Sequence, residues 1–194
     1  MPTTISKGES ARAEWIEGDD VTRAWQLYQG FRSKEAIIKD WVKFAKSWWL
    51  DGCYIPRETN ASRFREIYRV FRSERGSLFN RGVVLREFLP ISETGRDMRG
   101  LPTVEETRLF FWNGSLLVRP EHASSALLGT LPRWEAVARR FKSPFISIDV
   151  AELQDHRWKI VEVGDGGVSG LPTGLDDKDF YSTLLKMSRT SSLG

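Results

Sequence analysis

With 194 residues, 40% of them hydrophobic and 28% charged, the chain is long enough to bury one sizeable core or two small lobes, and its composition is globular rather than disordered. The net charge is only +3; a single cysteine, Cys53, excludes an internal disulfide, and with only His122 and His156 any metal must rely on oxygen ligands, which favours Mg²⁺ or Mn²⁺ over zinc. No apolar stretch approaches the roughly 20 residues that cross a bilayer, and the opening MPTTISKGES lacks the apolar segment of a signal peptide, so a soluble cytoplasmic protein with no membrane partner is expected.

Between Ala11 and Phe31, Trp15, Ile16, Val21, Ala24, Trp25, Leu27 and Tyr28 are spaced closer to a helix than to a strand, with breaks near Gly18 and Gly30. A short helix is expected from about Asp20. In EAIIKDWVKFAKSWWLDGCYI the first apolar run predicts a strand ending at Lys39, and Cys53, Tyr54 and Ile55 begin another short element. From Ser62 to Phe71, the residues Phe64, Ile67, Tyr68 and Phe71 form one apolar helical stripe. The other faces of that helix carry arginine, and ten arginines fall between residues 57 and 99. Such a concentration suits an anionic partner, either nucleotide phosphates or a nucleic-acid backbone. The competing account is a solvated helix face paired with Glu58, Glu66 and Glu74.

After that helix the period changes. GVVLREFLPI, VEETRLFFW and SLLVRP are short, rich in β-branched and aromatic residues, and separated by Gly, Pro and Asn. Asn113-Gly114 between the last two predicts a hairpin. A helix is expected over Pro132 to Phe141, followed by the strands FISIDVAEL and RWKIVEVG. The glycine-rich GDGGVSGLPTG leads into a last helix near Lys178 to Met187, and RTSSLG reads as a frayed end.

The two late strands flank Gln154-Asp155-His156-Arg157. If the hairpin turns on Asp155 and His156, the numbers of facing residues sum to 311 and Asp149 stands opposite Glu162. The same register pairs Ile148 with Val163 and Val150 with Val161 on the apolar face, leaving the two acids on the other. Like charges directly across a pair are destabilising unless something positive lies between them, and a divalent cation is the economical answer. The alternatives are a protonated carboxylate, a neutralising arginine, or a register one residue off. Asp165, in the flexible Gly164-Asp165-Gly166-Gly167 run, is a third acid able to approach a metal or phosphate.

Cationic groups fall on earlier elements. Lys39 and Lys43 lie four apart at a strand-to-loop change and suit phosphate contact. Arg86 and Glu87 interrupt an otherwise apolar strand, and Glu106 and Arg108 alternate onto one face of EETRLFF, away from Thr107, Leu109 and Phe111. An internal bridge of Glu106 to Arg86 or Arg108 is the structural alternative. Acids and arginines on neighbouring strands suit phosphoryl chemistry, which rests on positioning and charge neutralisation. No GxxxxGK[ST] loop, HExxH motif or GxSxG elbow is present, which disfavours P-loop NTPase and serine hydrolase function.

The ordered set Lys39, REFLPI, EETRLFF, SIDVAEL and IVEVGDGGVSGLP resembles the ATP-grasp superfamily, over about residues 35 to 185. Within it the pattern is similar to a bacterial and phage clade with a retained arginine and two lysines. The resemblance implies an α+β fold of two lobes, with mainly antiparallel sheets, that grip ATP. Residues 1–30 would form an N-terminal extension with a helix, 31–80 a small nucleotide-gripping lobe, 81–188 the lobe with the metal site, and 189–194 a frayed tail. Lys39 and Lys43 would contact the nucleotide, backbone groups of Glu87, Phe88 and Leu89 would meet the adenine, and Glu106 would join them. Arg108 and Arg86 would face the triphosphate or an acyl phosphate, while Asp149 and Glu162 would hold Mg²⁺ or Mn²⁺. Many members carry asparagine two residues after the last glutamate; here that position is Gly164, with Asp165 the expected substitute.

Most such enzymes activate a carboxylate with ATP and pass it to an amine, so a carboxylate–amine ligase is expected, with substrates that include a peptide or protein. Residues 1 to about 30 are expected to be too short for the additional N-terminal domain of many relatives, which leaves room for an ATP-binding assembly module without ligase turnover. Nucleic-acid binding, suggested by the arginine-rich helix and eight tryptophans, is the least supported partner, since tryptophans at helical spacing belong more often to cores.

Overall fold

The computed structural model describes residues 8–41, 46–98, 102–121, 123–172 and 174–191. Lys43, and Arg99 of the arginine-rich segment, lie outside the described residues. The chain forms two compact units, Ala11–Val104, and Met1–Ser10 together with Glu105–Gly194.

In the Ala11–Val104 unit a four-stranded sheet is built from β1 (Ala13–Glu17), β2 (Ala36–Asp40), β3 (Tyr54–Ile55) and β4 (Gly82–Glu87), in the spatial order β1-β4-β2-β3 with every neighbouring pair antiparallel. Helix α1 (Val21–Gln29) starts where Asp20 accepts hydrogen bonds from the amides of Thr22 and Arg23, and α2 (Ala61–Arg75) where Asn60 accepts from Arg63. The stripe Phe64, Ile67, Tyr68, Phe71 joins Ala24, Tyr28 and Phe31 over the buried sheet residues Ile16, Ile38, Val83 and Leu85. Asp40, on this buried face, is 0% exposed, and its carboxylate accepts from Arg75 Nε at 2.7 Å. A separate hairpin of β5 (Glu93–Arg96) and β6 (Pro102–Val104) follows.

In the Glu105–Gly194 unit, β7 (Glu106–Trp112), β8 (Ser115–Leu116), β9 (Phe145–Glu152) and β10 (Trp158–Asp165) form a second antiparallel sheet in the order β10-β9-β7-β8. Helix α3 (Ser125–Ala138) covers one face, where Leu127, Leu131, Trp134 and Val137 meet Leu109, Phe111, Ile148, Val150 and Ile160. On the other face Phe180 of α4 (Asp177–Ser191) stands edge to face with Phe110, ring centroids 4.9 Å apart. The segment before β1 belongs here too: Ser10 bridges Ile160, and Glu9 pairs with Arg140 at 2.6 Å. Among the described residues no helix is long and apolar enough to cross a membrane.

The Asn113-Gly114 turn forms as expected, with both residues at positive φ, 47° and 78°. Several expectations need correction. The division near residue 80 falls inside the Ala11–Val104 unit, because β4 is inserted between β1 and β2. Residues 11–30 are likewise part of that unit, and Ala13–Glu17 is a strand rather than helix or extension. Helix α3 begins seven residues before Pro132 and runs through it, since the buried series Leu127, Leu131, Trp134 continues unbroken across the proline. The last helix extends to Ser191, beyond the expected end near Met187.

Two substitutions probe this architecture. A Cβ on Gly114 would lie 2.2 Å from Arg139 Cγ and 3.0 Å from its Cα, at a φ that also disfavours other residues; Gly114→Ala is expected to lower stability by about 1–3 kcal/mol, read as a reduced urea midpoint. Arg75→Ala removes a cation from the buried Asp40 carboxylate and is expected to cost about 3 kcal/mol in the same measurement.

Candidate functional site

Strand β7 pairs Arg108 with Asp149 of β9, and β9 pairs Asp149 with Glu162 of β10. Three charged residues therefore form one row across three neighbouring strands. The α3 side of the sheet is filled by Leu109, Ile148 and Val163, so by alternation the row lies on the opposite face. Arg108 meets Asp149 side-on, Nε to Oδ1 and Nη2 to Oδ2 both at 2.7 Å, and its Nη1 donates to the Gly170 carbonyl at 3.1 Å. Asp149 is 5% exposed, whereas Glu162 is exposed. Hydrogen bonding to Asp149 strengthens Arg108's hold on its proton beyond the usual, burial opposes this, and the charges of Asp149, Glu162 and Glu106 reinforce it.

Glu162 reaches this row through an irregularity. From Trp158 to Ile160 the facing numbers sum to 310, and from Glu162 onward to 311, with the shift between Ile160 and Glu162. Val150 thus pairs with Ile160 rather than with Val161, the extra residue. Ile160 is in the core under α3; plain alternation would send residue 162 there too, and the bulge instead turns Glu162 onto the side of Asp149. The expected pairing of the acids is correct, while the Val150–Val161 pairing offered in support is not.

The alternative of a neutralising arginine is met for one of the two acids: Arg108 holds Asp149. It occupies the flank of Asp149 away from Glu162, so the like charges of the acids are relieved from one side only. Among the described residues no group of three acids, histidines or cysteines converges as a metal cage. Asp165 pairs with Ile146 and so falls on the opposite face from Asp149, and its Oδ1 accepts from the Gly167 amide at 2.7 Å. It shapes its own turn and does not join the acidic pair. Mg²⁺ is commonly held by one or two carboxylates together with substrate phosphates and water, so Asp149 and Glu162 fit that donor set without a third acid.

At Gly164, an added Cβ would lie 2.9 Å from Ser147 Oγ and 3.1 Å from Ser169 Oγ. Those hydroxyls hydrogen-bond to each other at 2.7 Å, and Ser169 donates to the Asp165 carbonyl at 2.8 Å. The place of the asparagine side chain is filled by two serine hydroxyls on the same face as Asp149. Ser147 was missed from sequence, although it precedes Asp149 by two residues in a strand and so had to share its face.

In the Ala11–Val104 unit, Lys39 and Arg86 lie on the sheet face opposite the core. Lys39 faces Val84 and Arg86 faces Ile37, which places them as diagonal neighbours on β2 and β4 beside the 54%-exposed Trp15. Glu87 instead turns its side chain to the amide of Arg32, at 3.2 Å. The amides of Glu87 and Phe88 already donate to the carbonyls of Arg12 and Glu35, so of these three residues only Leu89 keeps an amide without a partner among the described residues. Phe88 packs against Tyr54 at 5.1 Å between ring centroids. Glu106 stands with Arg108 and Phe110 along one wall of a cavity in the other unit. Of the arginines on α2, Arg63 pairs with Asp51 and Glu66, Arg72 with Asp19, and Arg75 with Asp40. Much of that charge is therefore structural, which weakens the case for a nucleic-acid face.

Residues 19–184 match a family model described as an ATP-grasp domain, family 3 of the clade named for one arginine and two lysines. No curated protein matches the chain at a significant level. Among solved structures, D-cycloserine synthetase DcsG aligns with a TM-score of 0.55 and 12% identity, over 93% of this chain and 66% of that one. The ATP-grasp ligase PsnB, complexed with minimal precursor, Mg and ADP, aligns with a TM-score of 0.52 and 11% identity, over 94% of this chain and 54% of its own. Macrocyclase MdnC bound with precursor peptide MdnA, from Microcystis aeruginosa MRC, aligns with a TM-score of 0.51 and 11% identity, over 91% and 53%. At such identities the likeness is one of fold, and the chain spans about half the length of PsnB and MdnC. The family match covers most of the chain, and two antiparallel α+β units agree with it: this chain belongs to the ATP-grasp domain family, within family 3 of the arginine-and-two-lysine clade.

Proposed function

We propose that the chain is the nucleotide-binding core of an ATP- and Mg²⁺-dependent carboxylate–amine ligase that works through an acyl phosphate. The observation that carries this reading is the row Arg108–Asp149–Glu162, which sets a guanidinium beside two carboxylates on one sheet face. Membership of the ATP-grasp family supports it. In the reaction, a carboxylate oxygen of the substrate attacks the γ-phosphorus of ATP and the bond to the bridging oxygen breaks, releasing ADP. The amine nitrogen then attacks the acyl carbon, the carbon–oxygen bond to phosphate breaks, and phosphate leaves with the electron pair as the amine sheds a proton.

Arg108 neutralises charge on the transferring phosphoryl group, held in place by its two bonds to Asp149. Lys39 and Arg86 contact nucleotide phosphates from the face of their sheet opposite the core, with Lys43 as the second lysine of the pattern, and the Leu89 amide donates to the adenine. Mg²⁺ or Mn²⁺, when bound by Asp149 and Glu162, supplies neutralisation of phosphate oxygens. MdnC is described with a precursor peptide and PsnB with a minimal precursor, which favours a peptide or protein among the substrates.

Calorimetric titration with Mg²⁺ and a non-hydrolysable ATP analogue tests the site. Glu162→Gln is expected to weaken binding by more than the roughly tenfold that loss of even a supporting partner costs. With a carboxylate and an amine supplied, ADP and phosphate are the expected products; AMP and pyrophosphate refute the acyl-phosphate route. Tight Mg-ATP binding with no acceptor-dependent ADP release points instead to an ATP-binding assembly module.

Arg108→Met separates the structural from the functional use of the same side chain. It leaves a buried carboxylate beside Glu162 and is expected to lose about 3 kcal/mol of stability. Added Mg²⁺ is then expected to raise the thermal midpoint of the variant more than that of the unaltered protein. An equal or absent Mg²⁺ response in both argues against metal binding at Asp149.

A further inference from the structure

The Glu105–Gly194 unit contains a cavity of about 260 Å³ that borders Arg108. Glu106, Arg108 and Phe110, alternate residues of β7, line one side, and Phe180, Val118 and Leu175 complete an apolar wall. Phe110 and Phe180 are buried and hold each other edge to face, so this part of the cavity is fixed. Around it stand Arg119, Glu105 and Glu121, all exposed, whose side chains make no hydrogen bond or ion pair with another described residue. Arg108 by contrast is committed to Asp149 and Gly170.

A guanidinium, a pair of carboxylates and an apolar pocket answer to the three parts of an α-amino acid. Arginine binds a carboxylate through two parallel N–H···O bonds. A carboxylate accepts from an ammonium group, and the aromatic edges take an aliphatic or aromatic side chain. The volume falls below the roughly 300–1,000 Å³ of pockets for drug-sized ligands, which suits one residue rather than a stretch of polypeptide. We propose that this cavity binds a free α-amino acid with an apolar side chain, its carboxylate on Arg119, its ammonium toward Glu105 and Glu121, and its side chain against Phe110 and Phe180. Because Arg119 engages the amino acid's carboxylate, its amine is the group left to react. The amino acid is thus the amine substrate, an assignment that rests on the ligase reading above.

The test is calorimetric titration of the whole chain with L-leucine and L-phenylalanine, with and without Mg²⁺ and a non-hydrolysable ATP analogue. L-Leucinamide, which lacks the carboxylate, and N-acetyl-L-leucine, which lacks the ammonium, serve as controls. Saturable binding of at least one amino acid is expected. Both derivatives, and Arg119→Ala with the unaltered amino acid, are expected to bind at least about tenfold more weakly, the scale of one lost charge-assisted hydrogen bond. Absence of binding by either amino acid at millimolar concentration, with or without nucleotide, overturns the proposal. So does equal affinity for leucine and leucinamide, or an Arg119→Ala variant of native circular dichroism and unchanged affinity. The nucleotide arm keeps the two readings apart: Mg-nucleotide binding without amino-acid binding defeats the cavity alone, and amino-acid binding without Mg-nucleotide binding defeats the ligase reading alone.

Discussion

A buried aspartate in the middle of a sheet is the constraint on which the Glu105–Gly194 unit turns. Asp149 sits on β9, between β7 and β10, with 5% of its surface exposed. An uncompensated charge there would cost several kcal/mol, whereas a like charge on the neighbouring strand costs less than about 1 kcal/mol. The larger cost therefore decides the arrangement. β7 brings Arg108 to the aspartate, and both oxygens are satisfied at 2.7 Å. The smaller cost, from Glu162 on the far side, is left in place. The unit buries the aspartate with one partner and leaves the other acid exposed.

That inequality has a geometric support in the bulge at Val161. Without the extra residue, Glu162 would follow Trp158 and Ile160 into the apolar layer beneath α3, at far greater cost than facing Asp149. With it, the strand delivers apolar residues to the core at both ends and still presents its acid on the other face. The turn that follows is held by bonds that do not involve Glu162. Ser169 ties to Ser147 and to the Asp165 carbonyl, Asp165 caps the Gly167 amide, and Arg108 reaches the Gly170 carbonyl. The guanidinium that neutralises Asp149 also anchors the glycine-rich segment, so charge balance and loop position are one arrangement. Gly164 completes it, because a Cβ there would press on both serine hydroxyls, at 2.9 and 3.1 Å.

Local signals in the sequence were legible where one face of an element carries most of its burial. The α2 stripe, the helix start at Asp20, and the Asn113-Gly114 turn follow from spacing and backbone preference alone. β1 was not legible because it is an edge strand with one deeply buried residue, Ile16, and an exposed Trp15 that mimics helical spacing. The assignment of β4 to the later lobe failed for a different reason: chain order says nothing about a strand inserted between two earlier ones. Pro132 misled because a proline favours a helix start, yet the burial of Leu127, Leu131 and Trp134 outweighs one missing hydrogen bond. At the site, facing acids could be read from a turn and an alternation, but the bulge could not. Bulges depend on what both strands must bury. Asp165 was misplaced by the same limit, since its face is fixed by register and not by nearness in sequence.

The two units treat buried charge alike and exposed charge differently. Asp40 is met by Arg75 as Asp149 is by Arg108, but on the face that α1 and α2 cover. The half-buried cations on the other face of that sheet, Lys39 and Arg86, stand beside Val84, Ile37 and Trp15. Each sheet thus keeps its own balance of apolar and charged residues. A fold that divides these chemistries between two sheets, each with its own core, lets either half change its partners without dismantling the other.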